Sequence, residues 1–199
     1  MKVTLISHTP FSELIIAKAA LITRGRKTFP SPLFSKERFI KKLIERGHHS
    51  ILEFAQATFF VEDVSRALLA QITRHRLASF AVESQRHTKP REEVVIPPTI
   101  AKNEELKREY EKLTKECFTL YRKMIQEGIP KEDARFILPN ATKTSFVISA
   151  NFREWRHILQ LRLAPDAQWE IREMCKRIGE ILCSIAPSVF EDLIEGRRE

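Results

Sequence analysis

The sequence predicts an α+β fold, a small mixed or antiparallel sheet flanked by helices, with a long helix in the middle of the chain. Two observations carry this. Short runs rich in β-branched and aromatic residues, at 2–7, 54–62 and 143–150, alternate with longer segments whose apolar residues recur at helical spacing. In addition, 199 residues with 43% apolar content suffice for one core, and no repeat, low-complexity tract or linker divides them. A single domain over residues 1–199 is therefore expected.

The elements follow in order. Residues 2–7 read as a strand, after which Thr9 and Pro10 offer an N-cap and a first-turn proline for an apolar helix reaching Ile22. Gly25, Pro30 and Pro32 make 24–35 a loop, Ser35 caps a basic amphipathic helix that Gly47 stops, and the chain turns at His48. Residues 54–62 are the second strand. Residues 65–76 return to helical spacing with Leu68, Leu69 and Ile72 inward, so Arg74, His75 and Arg76 arrive at a helix end. Over 99–126, Ile100, Leu106, Tyr110, Leu113, Cys117, Leu120 and Met124 recur between charged residues, predicting one long helix ended by Gly128. Pro130 starts a shorter helix carrying Arg135, and Pro139 breaks it. A strand over 143–150 then precedes helices near 152–163, 167–186 and 188–194.

The net charge of +8 predicts attraction to anions. A nucleic-acid-binding protein is one reading of that charge. Against it, the cations concentrate in one short segment and are not interleaved with aromatics. Cys117, Cys175 and Cys183 form no CxxC pair and read as reduced core residues. His48 and His49 point apart and lack acidic or cysteine partners at ligand spacing, so no metal is expected. Residues 1–10 carry no signal-peptide pattern, and no apolar run reaches the roughly 20 residues that span a bilayer, so a cytoplasmic location without membrane contact is expected. Trp169 reads as a core aromatic, and Glu170 and Glu173 as surface partners of neighbouring arginines.

The richest segment is QITRHRLASFAVESQRH at 71–87. Arg74, His75 and Arg76 repel one another when protonated, which is intelligible if an anionic ligand completes the cluster. Gln71 lies three and four residues before Arg74 and His75, so the three are expected on one helix face addressing one ligand. Ser79, Ser84 and Arg86 would add hydroxyls and a second guanidinium. A solvated basic helix terminus is the competing reading.

RHR followed after seven residues by Ser84, with Arg86 two beyond, resembles the signature of the flavin-dependent thymidylate synthases. HHSILEF at 48–54, ARFILPN at 134–140, SANFREW at 149–155 and LRLAPDAQWEIR at 161–172 resemble that family's other segments, in its order. The resemblance covers essentially the whole chain. It implies an enzyme converting dUMP to dTMP, with methylenetetrahydrofolate as carbon donor and FAD reduced by NADPH. By position it assigns Ser50, Glu53, Arg74, His75, Arg76, Asn151, Arg153 and His157 to the flavin. Gln71, Arg74, Val82, Glu83, Ser84, Gln85, Arg86, Arg135 and Arg162 fall to the nucleotide, with Arg162 the catalytic residue that activates the uracil. It further implies a homotetramer whose active sites are shared between subunits.

Chemistry supports these roles. Reduced flavin carries negative charge at its pyrimidine edge, which cations stabilise, and a guanidinium can stabilise an anion delocalised through a uracil ring. No covalent attachment to the enzyme is required, consistent with cysteines that read as structural, and no His–acid pair marks Ser84 as a nucleophile. The chain departs from the family's pattern at Ala81, Val82 and His87, where the family has more polar residues or tyrosine, and at Asp166, where relatives can have histidine. Val82 offers only backbone groups, while Glu83 is adjacent. A flavoenzyme acting on another pyrimidine nucleotide is the alternative that these departures leave.

Overall fold

A computed structural model describes residues 1–29 and 34–194. Pro30 and Pro32 of the expected loop lie outside the described residues. Four strands, β1 (Lys2–His8), β2 (Gln56–Ser65), β3 (Ser79–Val82) and β4 (Lys143–Asn151), form one sheet in the order β1-β2-β4-β3. Phe152 N–H donates to Ala55 O at 2.8 Å and Arg66 N–H to Thr142 O at 3.1 Å, so β2 and β4 run antiparallel. Thr9 N–H to Gln56 O at 3.0 Å, and Lys2 with Glu62 at 3.4 Å, give the same sense to β1 and β2.

The helices are α1 (Ser12–Ile22), α2 (Lys36–Glu45), α3 (Arg66–Ile72), α4 (Pro98–Ala101), α5 (Glu104–Gln126), α6 (Lys131–Ala134), α7 (Phe152–Arg162), α8 (Trp169–Ile185) and α9 (Pro187–Ile194), with 3-10 turns at His49–Phe54 and Arg135–Ile137. The α+β class and the long central helix match the expectation. None of the described helices is long and apolar enough to cross a membrane.

Several local expectations fail for physical reasons. Helix α1 starts at Ser12 after Phe11 in the left-handed region, because the Thr9 hydroxyl accepts from Gln56 N–H at 3.0 Å and is used for strand pairing, not capping. Phe54 closes a 3-10 turn, and the strand begins at Gln56. The long helix is broken, since Asn103 intervenes after α4 and caps α5 by accepting from Glu105 and Leu106 N–H, each at 3.1 Å. Its buried residues are Thr114, Phe118 and Tyr121, whereas Leu106, Leu113 and Leu120 are exposed. Glu170 is buried in the first turn of α8, where the helix dipole favours a carboxylate, while Glu173 does pair on the surface with Arg177 at 2.8 Å. Only Cys175 of the cysteines is fully buried, and Trp169 is half-buried. Strand β3 went unforeseen, being four residues inside the cationic segment.

Contacts divide the chain into two compact units, one of Met1–Lys2, Val61–Arg74 and Ala81–Phe146, the other of the described residues in Val3–Phe60, His75–Phe80 and Val147–Glu199. In the first, α5 packs on α4, α6 and the 3-10 turn that follows α6. In the second, α7 packs on α8, α9 and the turn at His49–Phe54. Trp155 anchors α7 there. Its indole is fully buried, meets Phe59 edge-on at 5.2 Å between centroids, and donates through Nε1 to Ala57 O at 3.0 Å. Arg156, also buried, donates to Val189 O and forks onto Asp192 at 2.6 and 2.7 Å, tying α7 to α9. Trp155→Phe should lose roughly 2–4 kcal/mol, from the missing volume and the orphaned Ala57 carbonyl, as read by urea unfolding. A change below about 0.5 kcal/mol, the usual size for a surface substitution, would contradict that anchoring role.

Candidate functional site

Helix α3 ends at Ile72, with Thr73 as its C-cap, so Arg74, His75 and Arg76 lie beyond it and do not share a helix face with Gln71. Gln71 and Arg74 belong to the first unit, His75 and Arg76 to the second.

In the second unit the chemistry gathers around His75. This ring is 5% exposed, whereas Arg74 and Arg76 on either side of it are exposed. Helix α7 supplies its neighbours because Arg162 lies eight residues, about two turns, beyond Glu154 and His157 lies three beyond it, which puts them along one side of the helix. Arg162 Nε–H donates to His75 Nε2 at 3.0 Å, the His157 ring stands edge-on at 5.8 Å between centroids, and Glu154 Oε1 lies 3.6 Å from Nδ1. A guanidinium only donates, so Nε2 must accept and the ring proton resides on Nδ1. Burial, then the Arg162 charge, then His157 hold the His75 pKa down to about 4, so the ring is neutral near pH 7. Burial moves the Glu154 carboxyl the other way, upward, against a smaller downward pull from His157.

The rest of this set borders the same helix. Asn151 caps α7, its side-chain oxygen accepting from Glu154 N–H at 2.9 Å. Arg153 pairs on the surface with Glu53 at 2.6 Å, joining α7 to the turn that also carries the exposed Ser50. Burial pushes the Cys175 thiol up to about 12, which removes it as a nucleophile at neutral pH.

In the first unit, the loop after β3 folds on itself. Ser84 Oγ accepts from Arg86 N–H at 3.2 Å and Ser84 O accepts from the Thr88 hydroxyl at 2.7 Å. Arg86 faces Glu132 at 3.8 Å, and Arg135 Nε–H donates to Glu132 O at 3.1 Å. Glu83 faces Arg91 at 3.8 Å, and Arg91 also bonds Asp63 at 3.0 Å and Ser145 Oγ at 3.1 Å. Val82 closes β3, and Gln85 is half-buried in the loop. Ser84, Arg86 and Arg135 are thus brought near one another around Glu132 and its helix, whereas the Glu83 carboxylate is directed to Arg91.

Sequence reasoning missed Glu154 and Arg66. Glu154 carried a signal, since it falls on the inward face of α7 with Trp155 and Ile158, where an acidic residue needs a partner. Arg66 opens α3, where the helix dipole disfavours a cation. Its Nη1 donates to Glu83 O at 3.4 Å, and burial first, then the Arg135 charge, lower its pKa against a smaller opposing effect of Glu83. Like charges held together in this way favour an anion between them.

The family model described as thymidylate synthase complementing protein matches residues 4–188. A flavin-dependent thymidylate synthase of Geobacter sulfurreducens is 36% identical over 200 residues, spanning 96% of this chain and 86% of that protein. Those of Thermococcus onnurineus and Pyrococcus horikoshii are 39% and 41% identical, spanning 91% and 90% of this chain and 78% of each relative. Among solved structures, a UMP/dUMP methylase, PolB from Streptomyces cacaoi bound with 5-Br dUMP, matches with a TM-score of 0.87 over 96% of this chain and 93% of that one, at 23% identity, which shows a shared fold. With residues 4–188 matched and relatives up to 41% identical, the chain belongs to the thymidylate synthase complementing protein family, that of the flavin-dependent thymidylate synthases.

Proposed function

We propose that this protein is a flavin-dependent thymidylate synthase that converts dUMP to dTMP, taking its one-carbon unit from methylenetetrahydrofolate. The observation that carries this reading is the 3.0 Å bond from Arg162 to His75, which couples the arginine assigned to the uracil to the centre of the RHR signature.

The donor set suits a flavin. Arg76, Arg153 and His157 offer cations and donors, while exposed Phe54, Leu77 and Leu161 stand next in sequence to Glu53, Arg76 and Arg162. Polar anchors beside apolar surface are what a flat ring with an anionic tail requires. Ser50, Glu53, Arg74, His75, Arg76, Asn151, Arg153 and His157 would hold it. FAD, recharged by NADPH, supplies the reducing equivalents when bound.

On the nucleotide, Gln71, Arg74, Ser84, Gln85, Arg86 and Arg135 would bind dUMP, with backbone groups of Val82 and Glu83 completing the loop. Arg66 adds a guanidinium to the phosphate side. Arg162 stabilises negative charge on the uracil as its C5 becomes nucleophilic, a guanidinium being permanently cationic. The valine at position 82 favours, as a second reading, the same chemistry on another pyrimidine nucleotide. Residues 1–199 would act as one catalytic domain in the cytoplasm, within a homotetramer sharing active sites. Highly exposed Phe11, Leu77 and Phe136, at 81%, 79% and 86%, support such an assembly.

Purified protein supplied with FAD should be yellow, bleach with NADPH, and form dTMP from dUMP and methylenetetrahydrofolate. A protein that takes up no FAD would refute both readings, and methylation of another pyrimidine nucleotide in place of dUMP would select the second. Arg162→Ala should retain FAD while turnover falls at least about a hundredfold, the scale for removing a preorganised charge. Normal turnover would remove that assignment. Arg66→Ala should weaken dUMP binding about tenfold, the size of one charge-assisted bond, as read by calorimetry. Unchanged affinity would exclude it from the phosphate site.

A further inference from the structure

Resting on the proposed function, we infer that Glu154 is a positioning residue that stabilises the Nδ1-protonated tautomer of His75, the one the bond from Arg162 requires, and thereby holds the Arg162 guanidinium toward the uracil. The relevant groups all lie in one unit, and two of the three are almost wholly buried: His75 and Glu154 are each 5% exposed. Arg162 meets the ring at Nε2 and Glu154 at Nδ1, at 3.0 and 3.6 Å.

A neutral imidazole has two tautomers, and this geometry tolerates one. With the proton on Nε2, two N–H groups would face each other across 3.0 Å, and the bond from Arg162 would be lost. With the proton on Nδ1, the N–H lies on the side of Glu154 Oε1, 3.6 Å away, longer than a hydrogen bond but close enough for the neutral ring's N–H dipole to meet the carboxyl oxygen. In a buried setting that attraction is weakly screened, so the carboxyl oxygen reinforces the tautomer that the Arg162 bond requires. The bond from Arg162 Nε–H to Nε2 ties the guanidinium to the imidazole. Glu154 is itself held in place, since its backbone N–H donates to the Asn151 side chain at 2.9 Å in the α7 cap. The remaining titratable neighbour, His157, approaches edge-on from the same helix at 5.8 Å between centroids, a ring contact that favours neither tautomer.

The test uses 15N-histidine-labelled full-length protein at pH 7, with the His75 signals assigned through His75→Gln. Wild-type His75 should show a protonated Nδ1 and an unprotonated Nε2, in the absence of flavin or substrate. In Glu154→Leu, which keeps a side chain of similar size but removes the acceptor beside Nδ1, the Nδ1-protonated form should become less populated. With FAD loaded, kcat should fall about 10- to 100-fold while KM for dUMP changes less than about threefold, the scale of losing a group that orients a functional residue. Glu154→Gln, whose amide oxygen can accept at the same reach, should recover the wild-type tautomer and part of the rate. A wild-type His75 protonated on Nε2 would overturn the assignment without any variant. So would Glu154→Leu with tautomer and kcat unchanged. The tautomer result is independent of the reaction: an Nδ1-protonated His75 in a protein forming no dTMP would refute the functional reading and leave only the tautomer assignment standing.

Discussion

The candidate site depends on one hydrogen bond, from the Nε–H of Arg162 to an imidazole nitrogen of His75 that carries no proton. A permanently cationic donor and a ring that becomes cationic below neutrality can coexist at 3.0 Å only if the ring stays neutral. Burial provides that condition, since removing a charged imidazole from water costs more than leaving it uncharged, and the Arg162 charge adds to the penalty. The histidine inside the RHR signature thus differs physically from its flanking arginines. They are exposed cations, whereas it is a buried neutral acceptor that orients a guanidinium from another part of the chain.

Helix α7 supplies most of this arrangement. Its inward face buries Phe152, Trp155, Ile158 and Leu159, and that packing fixes the direction in which Glu154 and Arg162 leave the helix. The Asn151 cap sets where the helix begins, and the forked bond of Arg156 to Asp192 ties it to α9. Apolar burial therefore locates the backbone, and the polar groups are aimed by short local bonds. The first unit obeys a different logic. There Arg66, Arg86 and Arg135 are gathered by backbone carbonyls and by Glu132, a pattern suited to binding an anionic group.

Much of the fold was legible from periodicity. The strands at the chain start, around residue 60 and around residue 147, and the helices near Ser35 and from Phe152 onward, fall close to their expected places because caps and apolar spacing are local signals. The failures arise where tertiary bonds override local preference. Thr9 serves a strand and not a cap, and Asn103 starts a new helix inside the apolar pattern that reads as one helix over 99–126. The residue types of the site were legible in the motif segments, but their division of labour was not. Spacing placed Gln71, Arg74 and His75 on one helical face, and the helix stops before two of them. Nor could spacing pair His75 with Arg162 across 87 residues of sequence, or reveal the buried carboxylate behind it.

His75 is a buried neutral acceptor near pH 7. Its titration, followed by 15N and 13C shifts of the imidazole, tests this most directly, with Glu154, His157 and Arg162 as the groups facing the ring. The ring is expected to remain neutral as pH falls through 6.5 and to take up a proton only near pH 4. Between those values the unfolded chain binds a proton that the folded protein refuses, so the stability contributed by His75 is present above the unfolded pKa and is lost toward the folded one. A midpoint near 6.5 would mean a cationic ring beside Arg162 over the same range, and would contradict the arrangement from which the site is built.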